Sequence, residues 1–156
     1  MPTATDVGRP LNIRQGAREV VIVPDSPVAP IRHLYLNRKA HVNPDIFDPT
    51  TSGDSIAHWE GDTLVVDTIG FEPTKGITEI PGGGFRTANT RLVERYRLLK
   101  NGTVLSVTFT WTAPAVFQAP HSYEFRYQRV ARGYEPRPYQ LCDPFDGERT
   151  AFLEQR

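Results

Sequence analysis

Asn101-Gly102 divides two runs in which apolar and polar residues alternate, Thr90–Leu99 and Thr103–Thr112. A two-residue loop needs positive φ at both positions, which Asn and Gly tolerate best, so the dipeptide predicts a tight β-hairpin. The turn fixes the register, and the register fixes the faces, because side chains alternate along a strand. Leu92, Tyr96 and Leu98 then share one face with Leu105, Val107, Phe109 and Trp111. Arg95, Arg97, Ser106, Thr108 and Thr110 take the other, alongside Val93, Leu99 and Val104. The first set is core-like. Glu94 belongs to it, opposite Phe109. A carboxylate among aromatic rings is costly unless paired. Glu94 is therefore expected either in a buried ion pair, with Arg32 or Arg126 as partner, or as a pocket acid/base with a raised pKa.

A second hairpin is legible in GDSIAHWEGDTLVVDTIGF, Gly53 to Phe71. Strand-like runs Ser55–Glu60 and Thr63–Ile69 flank Gly61-Asp62, which places Glu60 opposite Thr63 and Ala57 opposite Val66. Trp59, Leu64, Ala57 and Val66 form a core-like face. His58, Asp67, Glu60 and Thr63, with Ile56 and Val65, form the other. His58 and Asp67 are diagonal neighbours there, an arrangement in which a carboxylate can orient an imidazole.

The remaining chain reads as further strands joined by proline-broken loops. Leu11–Gln15 and Glu19–Val23 flank Gly16, and Ile31–Asn37 alternates Arg32, Leu34 and Leu36 against Ile31, His33 and Tyr35. Pro24, Pro27 and Pro30 break the chain before that third run, and Pro44 and Pro49 break the connection from Arg38 to Gly53. Pro73 to Arg86, with Gly82-Gly83-Gly84, is expected to be a flap or long loop; it lacks the Lys-Ser/Thr of a phosphate cradle. His121–Arg129 sets His121, Tyr123, Phe125 and Tyr127 on an inward aromatic face. Gly133 to Pro138 reads as a turn, Tyr139–Cys142 as a last short strand, and Asp146 as the cap of a brief C-terminal helix. The expectation is one all-β domain over residues 1–156, an antiparallel barrel or two-sheet sandwich with a calycin-like cavity.

Charge and cysteine content remove several function classes. The 18 basic residues balance 18 acidic ones, against nucleic acid as a main partner. One cysteine, Cys142, allows neither an internal disulfide nor a cysteine-based zinc motif. No apolar run approaches a membrane span. The opening MPTATDVGRPL has neither the basic nor the apolar region of an export signal. A cytoplasmic chain is expected, or the mature form of an exported one.

Around WEGDTLVVDTIGF the chain resembles an uncharacterised family of small bacterial proteins, often carrying export signals. Their shared core runs Gly-Asp/His-Ser-x-x-x-Trp-Glu-Gly-Asp-Thr-Leu-Val-Val-Asp-Thr. RHLYLNRKAH is similar to the family's Arg-x-Ile-Tyr-x-Asp-x-Arg-x-His at Arg32, Tyr35 and His41, and LVERYR to its Val-Glu-Arg-Phe at Glu94 and Arg95. The likeness spans about residues 11–145. It departs where Ala113 and His121 replace an Asp and a Trp of the family pattern. The resemblance implies common descent and carries no reaction.

The residues singled out as catalytic candidates are His58, Asp67, Glu94 and His121, with Tyr35, His41, Asp54, Trp111, Tyr123 and Tyr127 as substrate-binding candidates. Imidazoles and desolvated carboxylates titrate near neutrality, which is what proton transfer needs. The alternatives are a surface cross-strand pair for His58 and Asp67, a strand-start histidine for His121, and a backbone-bonded loop histidine for His41. His33 is expected to be buried and neutral beside Tyr35. No metal is expected, since none of His33, His41, His58 and His121 has metal-site spacing; nor is any cofactor, since no nicotinamide or flavin fingerprint occurs. The expected function is cofactor-free acid/base chemistry of isomerase, lyase/hydratase or cyclase type, on a small, partly apolar organic substrate in an aromatic-lined cavity. A homo-oligomer is compatible with these features. The alternatives are a non-catalytic carrier of such a molecule, or a structural or interaction module.

Overall fold

Strands in this chain hydrogen-bond in the order in which they occur. The computed structural model describes residues 9–26, 29–74 and 80–130. It shows β1 (Leu11–Gln15), β2 (Glu19–Pro24), β3 (Arg32–Tyr35), β4 (Asp54–Glu60), β5 (Thr63–Ile69), β6 (Arg91–Leu99), β7 (Val104–Thr112) and β8 (His121–Gln128). They form one eight-stranded sheet of order β1-β2-β3-β4-β5-β6-β7-β8, strongly curled into a half-barrel. The all-β class agrees with the sequence; the architecture is a single curled sheet, with β1 and β8 as its edges. The turn at 133–138, the strand at 139–142 and the C-terminal helix expected at Asp146 all lie outside the described residues.

Both hairpin registers match the sequence. Glu60 pairs with Thr63 and Ala57 with Val66 across Gly61-Asp62, and Glu94 pairs with Phe109 across Asn101-Gly102. The second turn is wider than two residues. Lys100 has φ of 48°, as well as Asn101 (55°) and Gly102 (82°), and Thr103 N–H donates to the Lys100 carbonyl at 3.2 Å. One pairing departs from the antiparallel expectation: β3 runs parallel to β4, with Leu34 beside Ser55. A parallel neighbour requires a crossover, and the proline-broken connection 36–53 supplies it, lying over the outer face of β4 and β5.

Burial follows the alternation. Val20, Ile22, Leu34, Ala57, Leu64, Val66, Leu92, Val107, Phe109 and Trp111 are buried on the concave face. At about 25 cal/mol per Å² of apolar area this face is the main stabilising element of the sheet. One end of the half-barrel is plugged. Phe71 and Ile80 are buried there, and Phe71 packs on Trp111 with ring centroids 5.7 Å apart. The described part of the glycine-rich segment is a tight turn, with Ile80 and Gly84 exchanging backbone hydrogen bonds at 2.9 and 3.0 Å. This part is no open flap, because Gly84 lies against Phe117 and Gly82 against His121, where a Cβ would come within 2.7 and 3.0 Å.

Candidate functional site

Glu94 sits on the concave face with no solvent exposure, as its register requires. Arg32, from β3 on the opposite limb of the curl, meets it with both terminal nitrogens, Nη1 to Oε1 at 2.8 Å and Nη2 to Oε2 at 2.5 Å. The Tyr96 hydroxyl donates to Oε1 at 2.7 Å. Nη2 of Arg32 also donates to Thr68 Oγ1 at 3.3 Å, and Thr68 bonds Ser55 at 2.8 Å. Burial alone would lower the Arg32 pKa, but the adjacent Glu94 charge reverses this and raises it, so the guanidinium stays charged. Burial and the same carboxylate push the Tyr96 phenol well above its ordinary value. Of the two roles open to Glu94, the structure shows the ion pair with Arg32. Arg126 faces outward and bonds Glu124 at 2.7 Å.

Beyond this buried pair the concave face opens at the end opposite the plug. Two adjoining clefts of about 250 and 390 Å³ share Ile13, Leu98 and Leu105 and form a groove between β1 and the ends of β6 to β8. Trp59 and Tyr96 line one part, Tyr127 the other. The rim is apolar and exposed: Ile13 is 40%, Trp59 48% and Leu98 62% exposed. Exposed apolar side chains gathered around a concavity mark a binding surface more often than scattered ones do.

The outer face carries a separate cluster. Asp67 of β5 bonds Arg91 through Nε and Nη2, each at 2.7 Å. Asp54 of β4 accepts two bonds from Arg38, at 2.7 and 2.8 Å, and one from Val42 N–H at 3.0 Å. His41 lies between the two carboxylates. Its Nδ1 is 2.9 Å from Asp54 Oδ2, and its Nε2 approaches Asp67 Oδ2 at 3.3 Å without the alignment of a full hydrogen bond. Burial opposes charge on both aspartates. The bonds from Arg38, Val42 and His41 outweigh it at Asp54, and those from Arg91, with the His41 ring close by, at Asp67, so both carboxyls are held below their usual range. Tyr35 completes the cluster, with the Arg38 guanidinium 4.9 Å above its ring.

Candidates expected around one cavity are thus divided by the sheet. Glu94, Trp111, His121, Tyr123 and Tyr127 occupy the concave side, and Tyr35, His41, Asp54, His58 and Asp67 the convex side. Neighbouring residues in a strand point oppositely, so Glu94, opposite Val66, and Asp67, opposite Val93, cannot share a pocket. The expected His58–Asp67 contact is not made. His58 is 64% exposed and lies 3.1 Å from Glu60, two residues along its own strand, while Asp67 is taken by Arg91 and His41. His33 is likewise exposed rather than buried and lies 2.9 Å from Glu19 Oε2. His121 is half-buried at the plug, stacked on Phe117 at 5.2 Å, and Tyr123 stacks on Phe109 at 5.0 Å. Trp111 is buried beside them, its Nε1 without a hydrogen-bond partner among the described residues.

Sequence reasoning missed Arg38, Arg91 and Tyr96. For Arg91 a signal existed: Arg91, Arg95 and Arg97 lie on one face of β6 and meet Asp67, Glu60 and Asp62 across β5 and its turn. Among the described residues no group of three His, Cys, Asp or Glu side chains is arranged to hold a metal ion. No helix among them is long and apolar enough to cross a membrane. In comparisons with known proteins the chain matches no family model, no curated protein and no solved structure.

Proposed function

We propose that the chain binds a small, predominantly apolar organic molecule in the groove at the open end of the half-barrel. The observation that carries this is the apolar rim of Ile13, Trp59 and Leu98 around a concavity floored by Tyr96 and Leu105. The volumes suit such a ligand, since small-molecule pockets run to roughly 300–1,000 Å³. The test is a titration of the labelled protein with a compact apolar alcohol such as 2-naphthol, followed by amide chemical shifts and Trp59 fluorescence. Saturable shifts at Ile13, Trp59, Leu98 and Leu105, lost in Leu98→Glu, support it. Shifts scattered over the surface and indifferent to Leu98→Glu refute it.

Turnover of that molecule by cofactor-free proton transfer, of isomerase, lyase or cyclase type, is the stronger form of this proposal. Its support is Tyr96, which lines the groove and whose hydroxyl is bonded to Glu94. Glu94 keeps its ion pair with Arg32, and in this form it takes a ligand proton through Tyr96, whose hydroxyl passes its own proton to Glu94 Oε1 as it accepts the ligand's. Tyr96→Phe retaining full turnover on any substrate found would leave a carrier. The likeness of Trp59–Thr68 to the exported bacterial family is compatible with both forms and favours neither.

A further inference from the structure

A second cleft, of about 430 Å³, lies on the outer face at the plugged end, remote from the groove. Its outer wall is the crossover, through Pro44 and Phe47; its inner wall is Ile69 and Phe71; its polar edge is Asn89 and Arg91. Asp54 also borders it, but that carboxylate already accepts bonds from Arg38, His41 and Val42 N–H. Arg91 spends Nε and Nη2 on Asp67, and Nη1 has no partner among the described residues. The Asn89 side chain makes no hydrogen bond among them either. Apolar walls thus end in two groups of uncommitted N–H donors, one on a guanidinium that shares its charge with Asp67, while Asp54 is neutralised by Arg38.

We propose that this cleft is a binding site for a small aromatic or alicyclic monocarboxylate, its ring between Phe47 and Ile69 and its carboxylate on Arg91 Nη1 and the Asn89 amide. A carboxylate offers two acceptor oxygens and gains a charge-assisted bond from a guanidinium. A neutral carbonyl of the same shape gains only the weaker neutral bond. The site does not depend on the groove, which belongs to the opposite face and the opposite end of the sheet.

Titration of the ¹⁵N-labelled full chain at pH 7 with benzoate, cyclohexanecarboxylate and benzamide tests this directly. Both carboxylates shift the amides of Ile69, Phe71, Asn89 and Arg91, and benzoate binds about tenfold more tightly than benzamide. Arg91→Met removes the preference, Arg91→Lys retains part of it, and Ala88→Trp, which fills the cleft without removing an ion pair, abolishes binding of all three. Benzamide binding as tightly as benzoate, or benzoate affinity unchanged in both Arg91 variants, overturns the ligand class. No shift at these four amides with any of the three probes overturns the site.

Discussion

Arg32 and Glu94 are 62 positions apart in the chain, yet they form a two-pronged ion pair in which neither residue is more than 4% exposed. The curl of the sheet brings them together, because β3 and β6 present them on the same concave face from opposite limbs. A buried pair of this kind is costly to break on one side, since the survivor keeps its charge without a partner.

Glu94→Ala is therefore expected to destabilise the fold by about 3–5 kcal/mol, and Arg32→Met by a similar amount. The double variant Arg32→Met/Glu94→Leu should recover most of the loss, because no charge is left stranded. Urea unfolding of the two single variants and the double variant measures this. Additive losses in the double variant would show that the pair contributes mainly through packing.

Acid should weaken the attachment of the crossover. Asp54 and Asp67 both have depressed pKa values in the folded chain, so the unfolded chain takes up their protons first. Their contribution is fully present above the ordinary aspartate value, about 3.9, and is lost as pH falls below it through the folded values. Unfolding midpoints should be flat on this account above about pH 5 and fall below pH 4. In Asp54→Asn/Asp67→Asn the acid limb should be shallower. An unchanged limb would place the acid sensitivity elsewhere.

The two histidines near the central hairpin should behave differently. His58→Ala removes an exposed side chain and should change stability by no more than about 0.5 kcal/mol. His41→Ala removes the link between Asp54 and Asp67 and should cost about 1–3 kcal/mol. Thermal unfolding of both variants decides. A larger loss for His58→Ala would mean that the outer face of the hairpin is covered in solution.

Glycine positions make a sharper geometric test. Gly53 and Gly61 both have φ near +60°, at 67° and 60°, so alanine is strained at either by about 1–2 kcal/mol. At Gly53 its Cβ would also lie 2.6 Å from the Ile69 carbonyl oxygen, whereas at Gly61 nothing lies within 4 Å. Gly53→Ala should lower the melting temperature distinctly more than Gly61→Ala. Equal losses would mean that the contact between Gly53 and β5 is loose.

The parts of this structure legible from sequence are those set by local turns. Gly61-Asp62 and Asn101-Gly102 each specify a register within a few residues, and from register follow the buried face and the inward direction of Glu94. The outer cluster was not legible in the same way. His41 reaches Asp54 and Asp67 through a long crossover whose path no periodicity encodes. The parallel pairing of β3 with β4, on which that path depends, has no turn dipeptide to announce it. His58 misled because diagonal neighbours can touch but need not: Asp67 had an arginine on the next strand, and a guanidinium fork fits a carboxylate better than a single imidazole nitrogen does.

Strand order that repeats chain order has a consequence for how the protein is made. Each strand can pair with the one just before it as the chain leaves the ribosome, closing short loops except before β4 and β6, where the connections are longer. Such local pairing favours fast folding. The contact between Arg32 and Glu94 spans the curl and must wait for both limbs. If it forms after the rate-limiting step, Glu94→Ala will accelerate unfolding and leave the folding rate nearly untouched, as the two arms of a chevron plot would record. Kinetic persistence of the native state would then rest on a bond that plays no part in reaching it.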